Sequence, residues 1–276
     1  MTASDEQATD ASLIAAAQSG DRAALERLLV RWQPRILRFG VKMCGQPEDA
    51  RDVAQETLLA AARTLPNFRG DSSPSTWLYT IARSFCIKMR RRGRSIADSE
   101  RVQEREGEDL AARIADARPL PDATVAAKEI EAKLDAAIAG LEPMYREVLV
   151  LRDVEGLTAP EVGDVLGLSV EAVKSRLHRA RGMVRAEVAP ALDDSAPPPP
   201  ACPDVVTLYS QEVEGEISAD LCATMERHLA GCAYCRGRCD GMRRVLAMCS
   251  AAPLPKVPPE LQDAVRRAVR SFVTLP

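Results

Sequence analysis

The chain has 276 residues, with 37 Lys and Arg against 40 Asp and Glu (net charge −3), two His and eight Cys. That length suits one or two folded domains with linkers, and 46% hydrophobic residues suits a globular class. No apolar run approaches the ~18 residues a membrane span needs, so no membrane association is expected. The acidic, polar start MTASDEQATD reads as neither signal nor transit peptide. The expected compartment is therefore the cytoplasm, where thiols stay reduced. His178 and His228, outside any H-E-x-x-H, exclude most histidine-based metalloenzymes, and no G-x-G-x-x-G, P-loop or G-x-S-x-G is present. A charge of −3 averages over the chain, and its local distribution matters more for nucleic-acid binding.

The first block, residues 11–92, carries helix-period patterning nearly throughout. Leu25, Leu28, Leu29 and Trp32 form one apolar stripe behind a candidate N-cap, Asp21. Ala50, Val53, Ala54, Thr57, Leu58 and Ala61 form a second after Pro47, and Trp77, Leu78, Ile81 and Phe85 a third. Asp49, Asp52 and Glu56 fall within about 60° on a helical wheel, an acidic ridge beside the second stripe. The segment FRGDSSPSTWLYTIARSFCIKMRRRGR sets Phe68, Trp77, Tyr79 and Phe85 among Arg83, Lys88, Arg90, Arg91, Arg92 and Arg94, with no acid from 83 to 94. Aromatics among cations suit single-stranded DNA, whose bases need π faces and whose phosphates need charge. For Trp77 and Phe85 themselves the core reading is preferred over a base-stacking one. Cys44 and Cys86 stand alone on apolar faces and read as core thiols.

Residues 93–123 are charged and Ala-rich and read as a linker. The second block, 124–188, resumes with Ile130, Leu134, Ala137, Ile138 and Leu141, then two helices joined at Gly167. Val162, Val165 and Leu166 face Val173 and Leu177, and Ser169 caps the second helix, which gives a helix-turn-helix. The exposed side of that second helix is expected to carry Lys174, Arg176, Arg179, Arg181 and Arg185. Such a helix enters a major groove, with Val170, Glu171, Lys174 and Ser175 at base edges and the basic residues on phosphates. His178 reads as a polar surface residue of this helix rather than a ligand.

DDSAPPPP closes the spacer 189–200, which favours an extended chain. Residues 201–276 hold six of the eight cysteines. His228, Cys232 and Cys235, at i, i+4, i+7, would lie within about 40° on a continuous helix. Gly231 can break that helix, and C-x-x-C still converges through local turn geometry. With Cys202 as the fourth ligand, the set suits tetrahedral zinc. Cys222, Cys239 and Cys249 exceed the need of one such site. Six thiolates admit zinc, copper and cadmium alike, and binding would order a domain that is loose without metal. Alternating strand patterns are absent, so the fold class is all-α: two helical domains and a small helical metal-binding C-terminal domain.

Three motifs in order, DARDVAQETLL, FRGDSSPSTWLYTIAR and LTAPEVGDVLGLSVEAVKSRLHRAR, resemble those of a bacterial extracytoplasmic-function (ECF) sigma factor of the sigma-70 family. The resemblance makes residues 11–92 sigma region 2 and residues 124–188 sigma region 4. It implies that Asp49, Asp52 and Glu56 dock on the clamp helices of the RNA polymerase core, with a further contact at its flap. Trp77, Arg83, Lys88, Arg90 and Arg91 would open and read the −10 element of promoter DNA. Ser169, Glu171, Lys174, Ser175, Arg176, Arg179 and Arg181 would serve the −35 element. Pro74, Ser84 and Lys88 depart from the family pattern in the −10 region, so no promoter sequence carries over. The order C-x25-H-x3-C-x2-C, with GEIS and MERHLAGC, resembles a zinc-binding anti-sigma domain, and the full cysteine array resembles the tail of CorE-type metal-dependent sigma factors. The chain would then be no enzyme, since the polymerase core supplies the catalysis. Its tail would sense zinc, copper or cadmium in cis through contact with region 2 or region 4. Two alternatives are a thiol-redox inhibitory tail structured by zinc, and a metal-sensing helix-turn-helix repressor, for which an acidic docking ridge would be useless.

Overall fold

The structure is a computed structural model that describes residues 9–99, 122–192, 199 and 202–271. The middle of the expected linker and most of the Pro-rich spacer lie outside the described residues. Among those described, every regular element is helical, and the chain divides into two compact units.

The first unit is built on α1 (Asp10–Gln18), α2 (Arg22–Cys44), α3 (Pro47–Thr64) and α4 (Pro74–Ser99). Each start has a local cause. The Thr9 hydroxyl accepts from the Ser12 amide, the Asp21 carboxylate from the Ala23 and Ala24 amides, and the Ser73 hydroxyl from the Thr76 amide, while Pro47 opens α3. Leu28, Leu29, Trp32, Ile36 and Phe39 of α2 pack in one core with Ala50, Val53, Ala54, Leu58 and Ala61 of α3. The two helices approach so closely at Gly40 that a Cβ there would lie 2.9 Å from the Ala50 carbonyl oxygen. Asp10 fastens α1 to α2 by accepting from the Trp32 indole at 2.8 Å and pairing with Arg31 at 3.0 Å.

Two expectations change in this unit. The buried face of α4 is Thr76, Leu78, Tyr79, Ala82 and Cys86, so Trp77, Ile81 and Phe85 sit at its margin, half-buried. The bulk of Trp77 is accommodated between Trp32 and Phe68, with ring centroids 6.1 and 5.0 Å away, while Phe85 lies under the Lys88 ammonium at 4.8 Å. Cys44 and Cys86 do not stand alone: their sulfur atoms are 3.5 Å apart where the end of α2 meets α4.

The unit is completed by the C-terminal helix α12 (Pro259–Ser271), which packs on α2 and α3. Its apolar stripe, Leu261, Val265 and Val269, is buried, and Arg266 reaches Glu26 of α2 at 3.5 Å.

The second unit holds α5 (Asp122–Gly140), α6 (Pro143–Leu149), α8 (Val170–Val188), α9 (Val205–Val213), α10 (Ala219–Gly231) and α11 (Ala233–Ser250), with the start of α7 (Ala159–Leu166). A π-helical turn over Val150–Val154 continues α6. Thr158 and Glu161 form a capping box at α7: the Thr158 amide and hydroxyl donate to the Glu161 carboxylate, and the Glu161 amide donates back to the hydroxyl. Gly167 takes the left-handed conformation (φ +68°), and a Cβ on Gly163 would meet the Leu168 carbonyl oxygen at 2.7 Å. These glycines set the tight turn, and Ser169 caps α8 by accepting from the Ala172 amide at 3.2 Å.

Candidate nucleic-acid interface and metal centre

The acidic ridge of α3 is present as an element of the surface: Asp52 and Glu56 are exposed and Asp49 is half-buried. Burial, with Asp52 and Glu48 close by, pushes the Asp49 carboxyl above its ordinary range. A carboxylate cluster of one sign favours a cationic partner. On α4, Lys88 is exposed, whereas Arg83, Arg90 and Trp77 are half-buried, and Arg91 is exposed. Tyr79 is fully buried against Phe39 at 5.3 Å and offers no face to a base.

On α8 the residues divide. Ser169, Glu171, Ser175 and Arg179 are exposed, and Lys174 and Arg176 are half-buried. Arg181 and Arg185 are buried, at 1% and 2% exposure, which corrects their expected place on the solvent side. The reason lies in partners remote in sequence. The Arg181 guanidinium donates to Asp153 at 2.6 and 2.9 Å, to Glu214 at 2.9 Å and to the Ser210 hydroxyl at 3.0 Å. Burial opposes its charge, but these acceptors outweigh it and hold the guanidinium above its ordinary range. Arg185 donates to the Arg238 carbonyl at 3.3 Å, and burial together with the Arg238 charge pushes it down.

The remaining acceptors for α8, Ser210, Glu214 and Glu216, come from α9 and the turn after it, within the cysteine-rich region. Lys174 Nζ donates to the Glu214 carbonyl at 3.1 Å and lies 3.6 Å from the Glu216 carboxylate. His178 bonds on both sides, Nδ1 to the Ser210 hydroxyl at 2.7 Å and Nε2 to Glu216 at 2.5 Å. Arg152 pairs with Glu214 at 3.3 Å. Thus Lys174, His178 and Arg181, one successive turn after another along α8, are all held by Ser210, Glu214 and Glu216. Sequence reading missed these three; its one available signal is the acidic run QEVEGE at 211–216, whose charge is opposite to that of α8.

The thiols also divide. The donor atoms of Cys202, His228, Cys232 and Cys235 lie within 4.8 Å of one another. α10 ends at Gly231, so the continuous helix that would align His228, Cys232 and Cys235 is broken, and the turn brings them together instead. Cys232 caps α11, its sulfur accepting from the Cys235 amide at 3.5 Å; that hydrogen bond chiefly holds the Cys232 thiol below its ordinary value. Burial and the neighbouring sulfurs push Cys235 up to about 12. Cys202 supplies the fourth donor from just before α9, its sulfur 3.8 Å from that of Cys232, and His228 Nε2 is 3.2 Å from the Cys235 sulfur. A tetrahedral ion with metal–sulfur bonds of about 2.3 Å separates its sulfurs by about 3.8 Å, so the four residues fit such an ion.

Cys222, Cys239 and Cys249 stand outside this group. Cys222 lies 3.8 Å from the Glu212 carboxylate, and burial together with that charge raises its pKa. Cys239 is buried beside the Val205 carbonyl, its pKa also raised by burial, and Cys249 is buried on α11.

Residues 28–96 match the family "Sigma-70 region 2", residues 131–184 match "Sigma-70, region 4", and residues 202–236 match a family described as "Putative zinc-finger". RNA polymerase sigma-H factor of Pseudomonas aeruginosa is 34% identical over 194 residues, covering 68% of this chain and 98% of that protein. ECF RNA polymerase sigma-E factor of Salmonella typhimurium is 30% identical over 192 residues, covering 68% and 98%. Among solved structures, CnrH in complex with the cytosolic domain of CnrY is 29% identical and covers 68% of this chain and 99% of that one, with a TM-score of 0.46. Two sigma regions in order define the class, a transcription initiation factor and not an enzyme. The chain belongs to the ECF sigma factors of the sigma-70 family and carries an anti-sigma-like zinc-finger region behind region 4. Among the described residues no helix is long and apolar enough to cross a membrane.

Proposed function

We propose that this chain directs RNA polymerase to promoters from the cytoplasm and that its cysteine-rich region restrains it by covering the recognition helix. The observation that carries this reading is the engagement of Lys174, His178 and Arg181 by Ser210, Glu214 and Glu216. With Lys174 and His178 turned to Glu214 and Glu216, the segment that carries these carboxylates lies where a phosphate backbone would run, so DNA must displace it. The carboxylates also place negative charge where a phosphate would approach, which opposes DNA electrostatically.

In the released form, Asp49, Asp52 and Glu56 dock on the clamp helices of the polymerase core, with region 4 at the flap. Trp77, Arg83, Lys88, Arg90 and Arg91 serve the −10 element. Ser169, Glu171, Lys174, Ser175, Arg176 and Arg179 serve the −35 element, while Arg181 holds the scaffold of region 4. In the restrained form it is buried and saturated by acceptors, and after Ser210 and Glu214 are displaced the Asp153 carboxylate still takes two of its N–H donors.

Cys202, His228, Cys232 and Cys235 would hold a metal, and three thiolates with one imidazole suit zinc best. The metal supplies a crosslink, not a reaction. Cys202 directly precedes α9, and the covering residues lie at the other end of that helix. Fixing Cys202 therefore fixes the position of Glu214 and Glu216, which makes the restraint responsive to occupancy of the site. Copper(I) and cadmium also favour thiolates and are the competing signals.

Run-off transcription with purified core polymerase tests this reading. Full-length protein loaded with zinc should yield less transcript than the Glu214→Ala/Glu216→Ala variant, and exchange of zinc for cadmium or copper(I) should change the yield. No transcript from either protein with any promoter library would refute the sigma assignment; equal yields would refute the restraint.

A further inference from the structure

Two cysteines lie outside the C-terminal region, and the fold puts them together. Cys44 is the last residue of α2 and Cys86 sits in the middle of α4, 42 positions later, yet their sulfurs are 3.5 Å apart. A disulfide requires about 2.05 Å, so rotation about the two Cα–Cβ bonds and a small helix shift would close the gap. Access to the pair is unequal. Cys86 is 1% exposed, whereas Cys44, beside the turn at Gly45, is half-buried and the more exposed of the two.

We propose that Cys44 and Cys86 form a reversible, peroxide-driven dithiol switch in region 2, separate from the C-terminal cysteines. The Cys44 thiolate attacks one oxygen of a peroxide, forming an S–O bond and breaking the O–O bond; Cys44 becomes a sulfenic acid and hydroxide (or water, once protonated) leaves. The Cys86 sulfur then attacks the Cys44 sulfur, the S–S bond forms, the S–O bond breaks and a second water leaves. Two thiols lose two electrons and two protons, and the peroxide takes up both. The buried partner protects the sulfenic acid by consuming it before further oxidation. A cellular dithiol reverses the step by exchange. The bond would fasten the end of α2 to α4, the helix read as meeting the −10 element, and would enclose all of α3 in the covalent loop.

The test is differential thiol mapping of the full-length, zinc-loaded protein. After exposure to hydrogen peroxide, remaining thiols are blocked with N-ethylmaleimide under denaturing conditions, and the protein is digested without reductant for mass spectrometry. The proposal expects a Cys44 peptide joined to a Cys86 peptide, two hydrogens lighter than their sum and lost on treatment with dithiothreitol. The same joined peptide should form in the Cys202→Ser/Cys232→Ser variant, and Cys44→Ser should leave Cys86 wholly blocked by maleimide. Maleimide on both Cys44 and Cys86 at peroxide levels that oxidise C-terminal cysteines would overturn the proposal. So would a linkage from either one to a C-terminal cysteine, or formation of the pair only when Cys202 and Cys232 are present.

Discussion

At the residue scale, neighbouring arginines of α8 have opposite roles. Arg179 is exposed, whereas Arg181 is buried between Asp153 and Glu214, whose side chains are 6% and 3% exposed. Arg179→Ala should weaken −35 duplex binding by about 0.5–1 kcal/mol, read by fluorescence anisotropy, and leave the melting temperature unchanged. Arg181→Ala should cost about 3–5 kcal/mol of stability in denaturant titration, because it strands two buried carboxylates. Glu171 gives a pH signature. Hydrogen bonds from its own backbone amide and from Ser169 hold its carboxyl below the ordinary range, so the folded state favours the charged form. That contribution is present above the unfolded pKa and is lost as pH falls through the folded one. Thermal melts should therefore show Glu171→Gln less stable than the wild type at pH 7, with the difference closing as the pH is lowered below the carboxylate range. The division between Arg179 and Arg181 was not legible in sequence. A helical wheel shows where a side chain points, but Asp153 and Glu214, 28 and 33 positions away, decide whether that direction is solvent.

At the element scale, start and stop signals were readable because they are local. Asp21 caps α2, Pro47 opens α3, Ser169 caps α8, and Gly167 makes the turn before it, all as their side-chain chemistry dictates. Gly163 is needed for a different reason, the close approach of Leu168. Gly163→Ala places a methyl 2.7 Å from that carbonyl oxygen and should destabilise the helix-turn-helix by about 1–3 kcal/mol, lowering −35 binding in proportion to the unfolded fraction. The register of the α4 stripe was harder to read, since Trp77 and Phe85 look more apolar than Ala82 and Thr76. The inward face mixes Leu78 and Tyr79 with the small Thr76, Ala82 and Cys86, and Trp77 and Phe85 are left at the margin. Helix α12 shows how a short amphipathic stripe finds its use only in three dimensions. Burial of Leu261, Val265 and Val269 contributes roughly 1.5–3 kcal/mol each as an upper bound, enough to seat the helix yet allow its displacement. Truncation after Ala252 removes this burial and should lower the melting temperature of the chain, read by thermal denaturation; an unchanged melting temperature would contradict it.

At the scale of the whole molecule, the net charge of −3 conceals local opposites: a basic α8 and α4, an acidic ridge on α3, and an acidic segment at 212–216 laid against α8. The domain order and metal-ligand spacing were legible because motifs and C-x-x-C geometry are written in short range. Which face the acidic segment covers was not, because that depends on α8 and α9 packing together. Likewise the six C-terminal thiols look equivalent in sequence, yet only Cys202, Cys232 and Cys235 converge with His228, while a carboxylate beside Cys222 and burial of Cys239 disfavour their thiolates. The most direct measurement of the central claim is the affinity of the full-length, zinc-loaded chain for a −35 duplex, compared with the Glu214→Ala/Glu216→Ala variant at one salt concentration. The account predicts at least about tenfold tighter binding by the variant, equivalent to about 1.4 kcal/mol, with unchanged zinc content. Equal affinities would contradict it.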